Sequence, residues 1–515
     1  MQKSIINNIN CRRIFFIFCF LQLSLWTLSP TFTYSSLPHD VAEGLAWGNQ
    51  WMLGYSKMPP FTAWMLAIFT KVGNGVIGLP IYLLAQICVI ITYIFVWKLS
   101  VRLANQKVAL LSILLLVGIL YYNNNSANIT PDTMSTPMWA AIIFFTYTSF
   151  KDNKLLSWYF LGIALALAML TKYSAIILIF VLLICTLSTK ETQQRYKSKG
   201  PYISIAISLL IFFPHLIWSI NHNFSAIQYI LHSALSGDDN PLTTVAFEPL
   251  IGRHFAVFIG AIISQTSAFL PVFILAWPLW LSLKKGGKQK PIIQDSFDRN
   301  FIYTIAFGPY VVTLLYAALS GGNVIPRWST PYFSFIGLWL ILVLRSKLTN
   351  RVLKQVIFSS FIVFFSILIG RTIYVLSMPI YKNTSGNDLY FNMPSIVTET
   401  YNIWKKHYSN PLLYVSGDHY LTAYVTDYSN NKLIPFFDAD LSSSPWIELN
   451  DFKKRGAIFV FQNYGEFNLP DKIHHKFPSL IYAGNYKFQN RYLLNIGSNN
   501  AGGIHVAFYL LPPSP

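Results

Sequence analysis

The chain has 515 residues, of which 53% are hydrophobic and only 11% charged, with a formal net charge of +18 and a mean hydropathy of +0.44. A soluble domain carries roughly 25% charged residues, so composition excludes an ordinary soluble globule and leaves a polytopic membrane protein. The positive balance does not mark a nucleic-acid binder, because the basic residues fall in short loops between apolar runs.

Taken in chain order, runs of ~17–25 apolar residues read as about eleven spans. They lie near 14–29, 79–97, 108–122, 136–150, 155–170, 174–188, 202–220, 255–283, 301–319, 331–344 and 356–376. The first run has a basic flank but no small-x-small cleavage site before Pro38, so it reads as an uncleaved anchor. The run 61–70 is too short to span and reads as interfacial. The 255–283 run holds Pro271 and Pro278 and is expected to be kinked or tilted.

Charge sets the orientation. With a cytoplasmic N-terminus, the inner loops collect Arg12, Arg13, Lys98, Arg102, Lys107, Lys151, Lys154, the basic cluster 190–199, the cluster 284–290 and the cluster 345–354. The outer loops then keep only Lys57, Lys71, Lys172, Arg253 and Arg327, the asymmetry the positive-inside rule demands. The inner cations are explained as topology determinants. Asp40, Glu43, Asp132, Asp238, Asp239 and Glu248 fall outside.

The membrane domain is expected over 1–376, with a large first outer loop at 30–78. From 377 to 515 the chain turns polar, and short β-like runs at 412–416, 457–461, 492–496 and 504–511 follow a helical segment at 394–408. This reads as a mixed α/β domain on the outer face. A further outer loop, 221–254, is long enough to act as a lid.

Acidic residues number only 20, and two of them, Asp40 and Glu43, stand at the mouth of the first span. Three apart, they share a face if a helix starts near Pro38. They could be a helix N-terminal pair favoured by the dipole, or one could be a general base. Lys57, ahead of Pro59-Pro60, could meet lipid headgroups or bind a phosphate. Asp132 follows Pro131 at the outer end of a span and could be a cap. Lys172 sits in Thr171-Lys172-Tyr173 between two spans, where ionisable groups are costly. Arg327 sits in Pro326-Arg327-Trp328. His39, His222, His232 and His254 lack metal-ligand spacing. Cys11, Cys19, Cys88 and Cys185 lie in or beside spans and form no disulfide framework. There is no P-loop, dinucleotide fingerprint or nucleophile elbow. Trp47, Trp51 and Trp64 read as an interfacial aromatic belt.

In this order, Asp40-Val41-Ala42-Glu43, Leu53-Gly54-Tyr55-x-Lys57-x-Pro59-Pro60, Pro131-Asp132, Thr171-Lys172-Tyr173 and Pro326-Arg327-Trp328 resemble the GT-C glycosyltransferases that use a polyprenyl-phosphate sugar donor. Within them the chain is most similar to the lipid A aminoarabinose transferase and the rhizobial galacturonosyltransferases. The resemblance covers residues 1 to about 345, and it departs at Met58, where His or Pro is more usual. It implies a GT-C fold of about eleven to thirteen transmembrane helices in a bacterial inner membrane, with the active site and C-terminal domain periplasmic. It implies an inverting transfer from undecaprenyl phosphate to lipid A or lipopolysaccharide core. Asp40 would be the principal catalytic carboxylate, Glu43 would assist or bind sugar, and Asp132 would be a second outer acid. Lys57, Lys172 and Arg327 would hold the donor phosphate. No cofactor is implied; a divalent metal is compatible but not required. A protein O-mannosyltransferase shares fold and donor type. A lipid-linked sugar flippase is the alternative from another class, though no inverted repeat is visible, and a structural membrane scaffold is a third.

Overall fold

The computed structural model describes residues 10–236, 250–286, 293, 295–322, 324–344, 348–381, 384, 386–430, 432–463, 469–492 and 502–514. The expectations for Asp238, Asp239, Glu248, the strand at 492–496 beyond Tyr492 and the 237–249 part of the proposed lid fall outside them.

The chain is mostly helical, and each of the eleven expected spans coincides with a helix or a bent helix pair. Among the described residues, five helices are long and apolar enough to cross a membrane alone: Cys11–Thr33, Leu79–Leu103, Gly200–Asn221, Ser296–Ser320 and Asn350–Ile380. Three bent pairs raise this to eight, Gln106–Leu116 with Leu120–Ala127, His254–Ser267 with Leu270–Ser282, and Pro326–Phe333 with Ile336–Leu344. The other three helices fall short of a span by length or composition. Leu155–Thr171 and Ala175–Leu187 have 17 and 13 residues, about 25 and 20 Å at ~1.5 Å per residue, against a ~30 Å hydrocarbon core. Pro131–Asp152 carries Pro137 and four scattered threonines, Thr133, Thr136, Thr146 and Thr148, which lower its hydropathy.

Two compact units emerge. The first comprises 1–27, 85–216 and 230–369; the second comprises 28–84, 217–229 and 370–515. The C-terminal tail therefore shares a unit with the first outer loop.

In the first unit, side chains of many helices build one apolar core, including Phe18, Trp26, Tyr93, Tyr122, Trp139, Trp158, Phe297, Phe301 and Leu338. Within it Gln22 donates to Gln86 Oε1 at 2.9 Å, and Gln86 donates to the Ser126 carbonyl at 2.8 Å. Such interhelical amide bonds satisfy polar groups that lipid would leave unpaired.

The second unit is an α/β assembly. Its sheet has the order β2-β1-β3-β5-β4, from β1 (Tyr414–Gly417), β2 (Ile434–Phe437), β3 (Ala457–Asn463), β4 (Ile481–Gln489) and β5 (Gly503–Leu511). Strands β2, β1 and β3 run parallel, while β5 is antiparallel to β3 and β4. The expected helix at 394–408 is Met393–His407. Phe436, Phe452, Phe459, Phe461 and Phe477 form the core of the sheet's helical cover. The stretch before the first loop helix is anchored on the tail. The Tyr428 hydroxyl accepts from the Leu37 N–H at 3.0 Å, and the Tyr424 hydroxyl donates to the Leu37 carbonyl at 2.6 Å.

Candidate active site

Pro38, extended at φ −60° and ψ 150°, starts the helix His39–Gly48. Its residues Val41 to Gly48 are all buried, so the helix is apolar nearly all round apart from Asp40 and Glu43. Asp40 is half-buried in the first turn. Glu43, one turn on, is only 3% exposed. The helix turns back into Phe61–Val72 through the Lys57-Met58-Pro59-Pro60 corner, where the Tyr55 N–H donates to the Met58 carbonyl at 3.2 Å. Gly48 makes this approach possible: a Cβ there would lie 2.0 Å from the Ala63 carbonyl oxygen. Trp47 stacks on Tyr55, with ring centroids 5.5 Å apart and planes within 9°.

This corner delivers Lys57 onto Glu43. The ammonium donates to Glu43 Oε1 at 2.6 Å and lies 5.5 to 6.0 Å from the rings of Tyr420, Tyr229 and Trp47. The same carboxylate oxygen also accepts a short hydrogen bond from His419 Nε2, and His419 Nδ1 bonds Asp438 Oδ2 at 2.7 Å. Lys57 Nζ and His419 Nε2 stand 3.4 Å apart.

The tail builds its share at the carboxyl ends of parallel strands. Strand β1 ends at Gly417, whose φ of +114° suits glycine alone, and whose missing Cβ would sit 2.2 Å from the Val460 carbonyl oxygen. Asp418 then caps the helix His419–Tyr428, accepting from the Leu421 N–H at 3.0 Å. Asp438 directly follows β2, and Phe437 stacks on the His419 ring at 4.6 Å. Strand β1 lies between β2 and β3, and His419 and Asp438 follow the carboxyl ends of the neighbouring parallel strands β1 and β2.

The charges follow from these contacts. Burial pushes the Glu43 carboxyl up, but the His419 hydrogen bond and the Lys57 charge outweigh it and hold it below the ordinary value. Burial also works against the His419 charge, yet Asp438 and Glu43 together raise it to about 9. Lys57 is raised against burial by Glu43. Burial and the field of Glu43, with a contribution from Asp40, push the Tyr420 hydroxyl to about 12. At neutral pH Glu43 is therefore ionised in a buried position, held by two cations. An isolated buried carboxylate would be costly; here it is satisfied by charge-assisted bonds.

In the other unit, Asp132 occupies the first turn of Pro131–Asp152, whose N-cap Thr130 accepts from the Thr133 N–H. Asp132 is 6% exposed, and Lys172 donates to its Oδ1 at 2.5 Å. Lys172 closes the helix Leu155–Thr171, and its ammonium lies 5.5 Å from the Trp328 ring. Trp328 belongs to the 3₁₀ helix Pro326–Phe333, on which Arg327 is exposed. The structure thus joins Glu43 to Lys57, and Asp132 to Lys172 beside the Arg327 segment.

Sequence reasoning missed His419 and Asp438. Their local signal was a short strand, a glycine and a capping aspartate in Ser416-Gly417-Asp418-His419. His39 packs on Tyr420 at 4.6 Å, His222 stacks on Trp218 at 4.1 Å, and His254 bonds the Ala318 carbonyl oxygen. A cavity of about 300 Å³ lined by Asn49, Trp51, Thr70, Lys71 and Asn74 contains none of the six expected site residues.

The family model for dolichyl-phosphate-mannose-protein mannosyltransferase matches residues 57–218. Lipopolysaccharide core galacturonosyltransferase RgtB of Rhizobium johnstonii is 26% identical over 323 residues, 61% of this chain and 62% of that protein. RgtA of the same organism is 26% identical over 254 residues, 47% of this chain and 48% of that protein. The chain thus matches about half to three-fifths of the length of these relatives. The crystal structure of ArnT from Cupriavidus metallidurans bound to undecaprenyl phosphate superposes with a TM-score of 0.58 and 13% identity, covering 97% of this chain and 98% of that one. Its apo form gives 0.57. The chain is a multi-pass membrane protein with the GT-C fold of ArnT, similar in sequence to glycosyltransferases of the lipopolysaccharide core.

Proposed function

We propose that the protein is an inverting glycosyltransferase that moves a sugar from undecaprenyl phosphate to lipid A or lipopolysaccharide core at the periplasmic face of the bacterial inner membrane. The observation that carries this reading is the buried Glu43 bearing Lys57 and His419, one helical turn from Asp40. Glu43, held ionised and occupied by two cations, is a poor proton acceptor. Asp40 is the base.

The acceptor hydroxyl attacks the anomeric carbon in line, forming the new C–O bond as the bond to the phosphate oxygen breaks. The electron pair stays on the lipid phosphate, and the hydroxyl proton goes to Asp40. Lys57 stabilises the charge growing on the phosphate, an arrangement that lowers the barrier because the cation is already in place. A lipid A phosphate as acceptor would bring no proton, and Asp40 would then only orient it. Within the other unit, Lys172 and Arg327 are assigned donor-phosphate binding and Asp132 the placing of Lys172.

Names among the relatives support a glycolipid acceptor, and the ArnT complex supports a polyprenyl phosphate donor. The family model's own description favours a second reading, a protein O-mannosyltransferase. Mass spectrometry of lipid A and core oligosaccharide from a deletion strain separates them. A sugar lost in the deletion, restored by wild type and not by Asp40→Asn, is expected. Unchanged glycolipids with altered glycoproteins would move the acceptor to protein.

A further inference from the structure

Two cations bind one oxygen of Glu43, and they are not held alike. His419 is gripped on both nitrogens, by Glu43 and by Asp438. Its ring is stacked on Phe437, and its backbone is fixed by the Asp418 cap and the Gly417 turn. Lys57 is held through its single ammonium, by Glu43 and by aromatic faces, on a flexible four-carbon stem. With their nitrogens 3.4 Å apart, the two positive groups repel each other across one negative charge. An anion arriving beside Lys57 relieves that repulsion.

We propose that His419 is a positioning residue, a fixed imidazolium that keeps Glu43 satisfied while Lys57 leaves it for the phosphate of the lipid-linked donor. The inference rests on the donor reading above and deepens it, since it gives the C-terminal segment a part in donor binding. Without His419, the whole charge of a buried carboxylate falls on Lys57, and the lysine is held back from the phosphate. The charged groups facing His419 are Glu43 from the helix His39–Gly48, Lys57 from the corner after it and Asp438 from the turn after β2, with Tyr420 beside it on its own helix.

The test is binding of undecaprenyl phosphate to the purified full-length protein in lipid nanodiscs, followed from pH 7 to pH 10, with steady-state transfer assays alongside. In wild type, affinity holds at neutral pH and weakens as pH rises through about 9, where His419 loses its proton. His419→Gln weakens binding at neutral pH by about tenfold, the scale of one charge-assisted hydrogen bond, and raises the donor KM more than it lowers kcat. Asp438→Asn moves the same way by less, and brings the pH limb lower. His419→Arg restores neutral binding and abolishes the limb, which a purely structural histidine would not do. Should His419→Gln fail to fold, the limb in wild type, Asp438→Asn and His419→Arg decides. Equal affinity in His419→Gln, or an identical limb in His419→Arg, overturns the inference while leaving the donor reading intact. No saturable binding by wild type, with Lys57→Ala no different, overturns the donor reading and this inference with it.

Discussion

Glu43 and His419, 376 positions apart, meet in a hydrogen bond from the imidazole Nε2 to the carboxylate Oε1. The bond ties the first loop helix to the carboxyl end of a parallel strand, and makes a buried carboxylate the centre of a four-residue charge cluster.

Replacing Asp40 by Asn is expected to lower kcat roughly 10²–10⁴-fold, the contribution of a positioned general base. Its loss from a helix first turn should cost no more than about 1 kcal/mol of stability. A transfer assay with a hydroxyl acceptor, paired with a thermal melt, checks both. Full activity would move the base elsewhere.

Glu43→Gln removes the one negative charge between Lys57 and His419. The two cations then face each other across a neutral amide, and stability should fall by about 3–5 kcal/mol, the scale for breaking a buried ion pair from one side. Differential scanning fluorimetry of the detergent-solubilised protein reads this. An unchanged midpoint would show that the cluster is not formed.

The Asp132–Lys172 pair should behave as a coupled unit. Lys172→Met leaves a buried carboxylate uncompensated and should cost about 3–5 kcal/mol, whereas Lys172→Met with Asp132→Asn should recover about 1–3 kcal/mol of that. A double-mutant cycle in thermal stability measures the coupling; additivity would refute it.

Stability should fall with rising pH in a window set by His419. Its folded value is raised from the ordinary 6.5 to about 9, so the folded state binds the extra proton. The stabilisation is whole below about pH 6.5 and lost progressively as pH climbs to about 9. Glu43 acts oppositely: its value is lowered, so its contribution is present above the ordinary carboxylate value and lost as pH falls below it. Melting midpoints across pH 6–10 should decline in wild type and flatten in His419→Gln.

Gly417→Ala should destabilise the second unit and loosen His419, because φ is +114° and the added carbon would meet the Val460 carbonyl. A cost of about 1–3 kcal/mol is expected for forcing this backbone on a non-glycine residue. The accompanying rise in donor KM would link the strain to the site.

The helices were legible in the sequence because an apolar run is a local signal: from 14–29 to 356–376, each run found its helix or bent pair. How many cross a membrane alone was not, since breaks such as the 90° bend between Gln106–Leu116 and Leu120–Ala127 depend on packing. The sheet shows the same division. Strands β1, β3 and β5, the three with neighbours on both sides, were expected within a residue or two of their bounds. The two missed, β2 and β4, are the edges. Strand β2 contains Pro435, which edges tolerate but which weakens the strand signal, and β4 mixes Gly484, Asn485 and Lys487 among its apolar residues. The pairing of Glu43 with Lys57 lay within one short motif and could be expected. The arrival of His419 and Asp438 could not, because nothing local couples positions so far apart.

That separation has a consequence for biogenesis. Glu43 and Lys57 leave the ribosome long before His419 and Asp438 exist, and the nascent first loop must hold a half-built charge cluster through the insertion of nearly every helix. The ribosome must pass residue 438 before the last counter-ion arrives. A stop codon before His419 would therefore not trim an appendage. Any product ending before His419 would leave Glu43 and Lys57 permanently in their provisional state, exposed to the quality-control proteases that patrol unfinished membrane proteins.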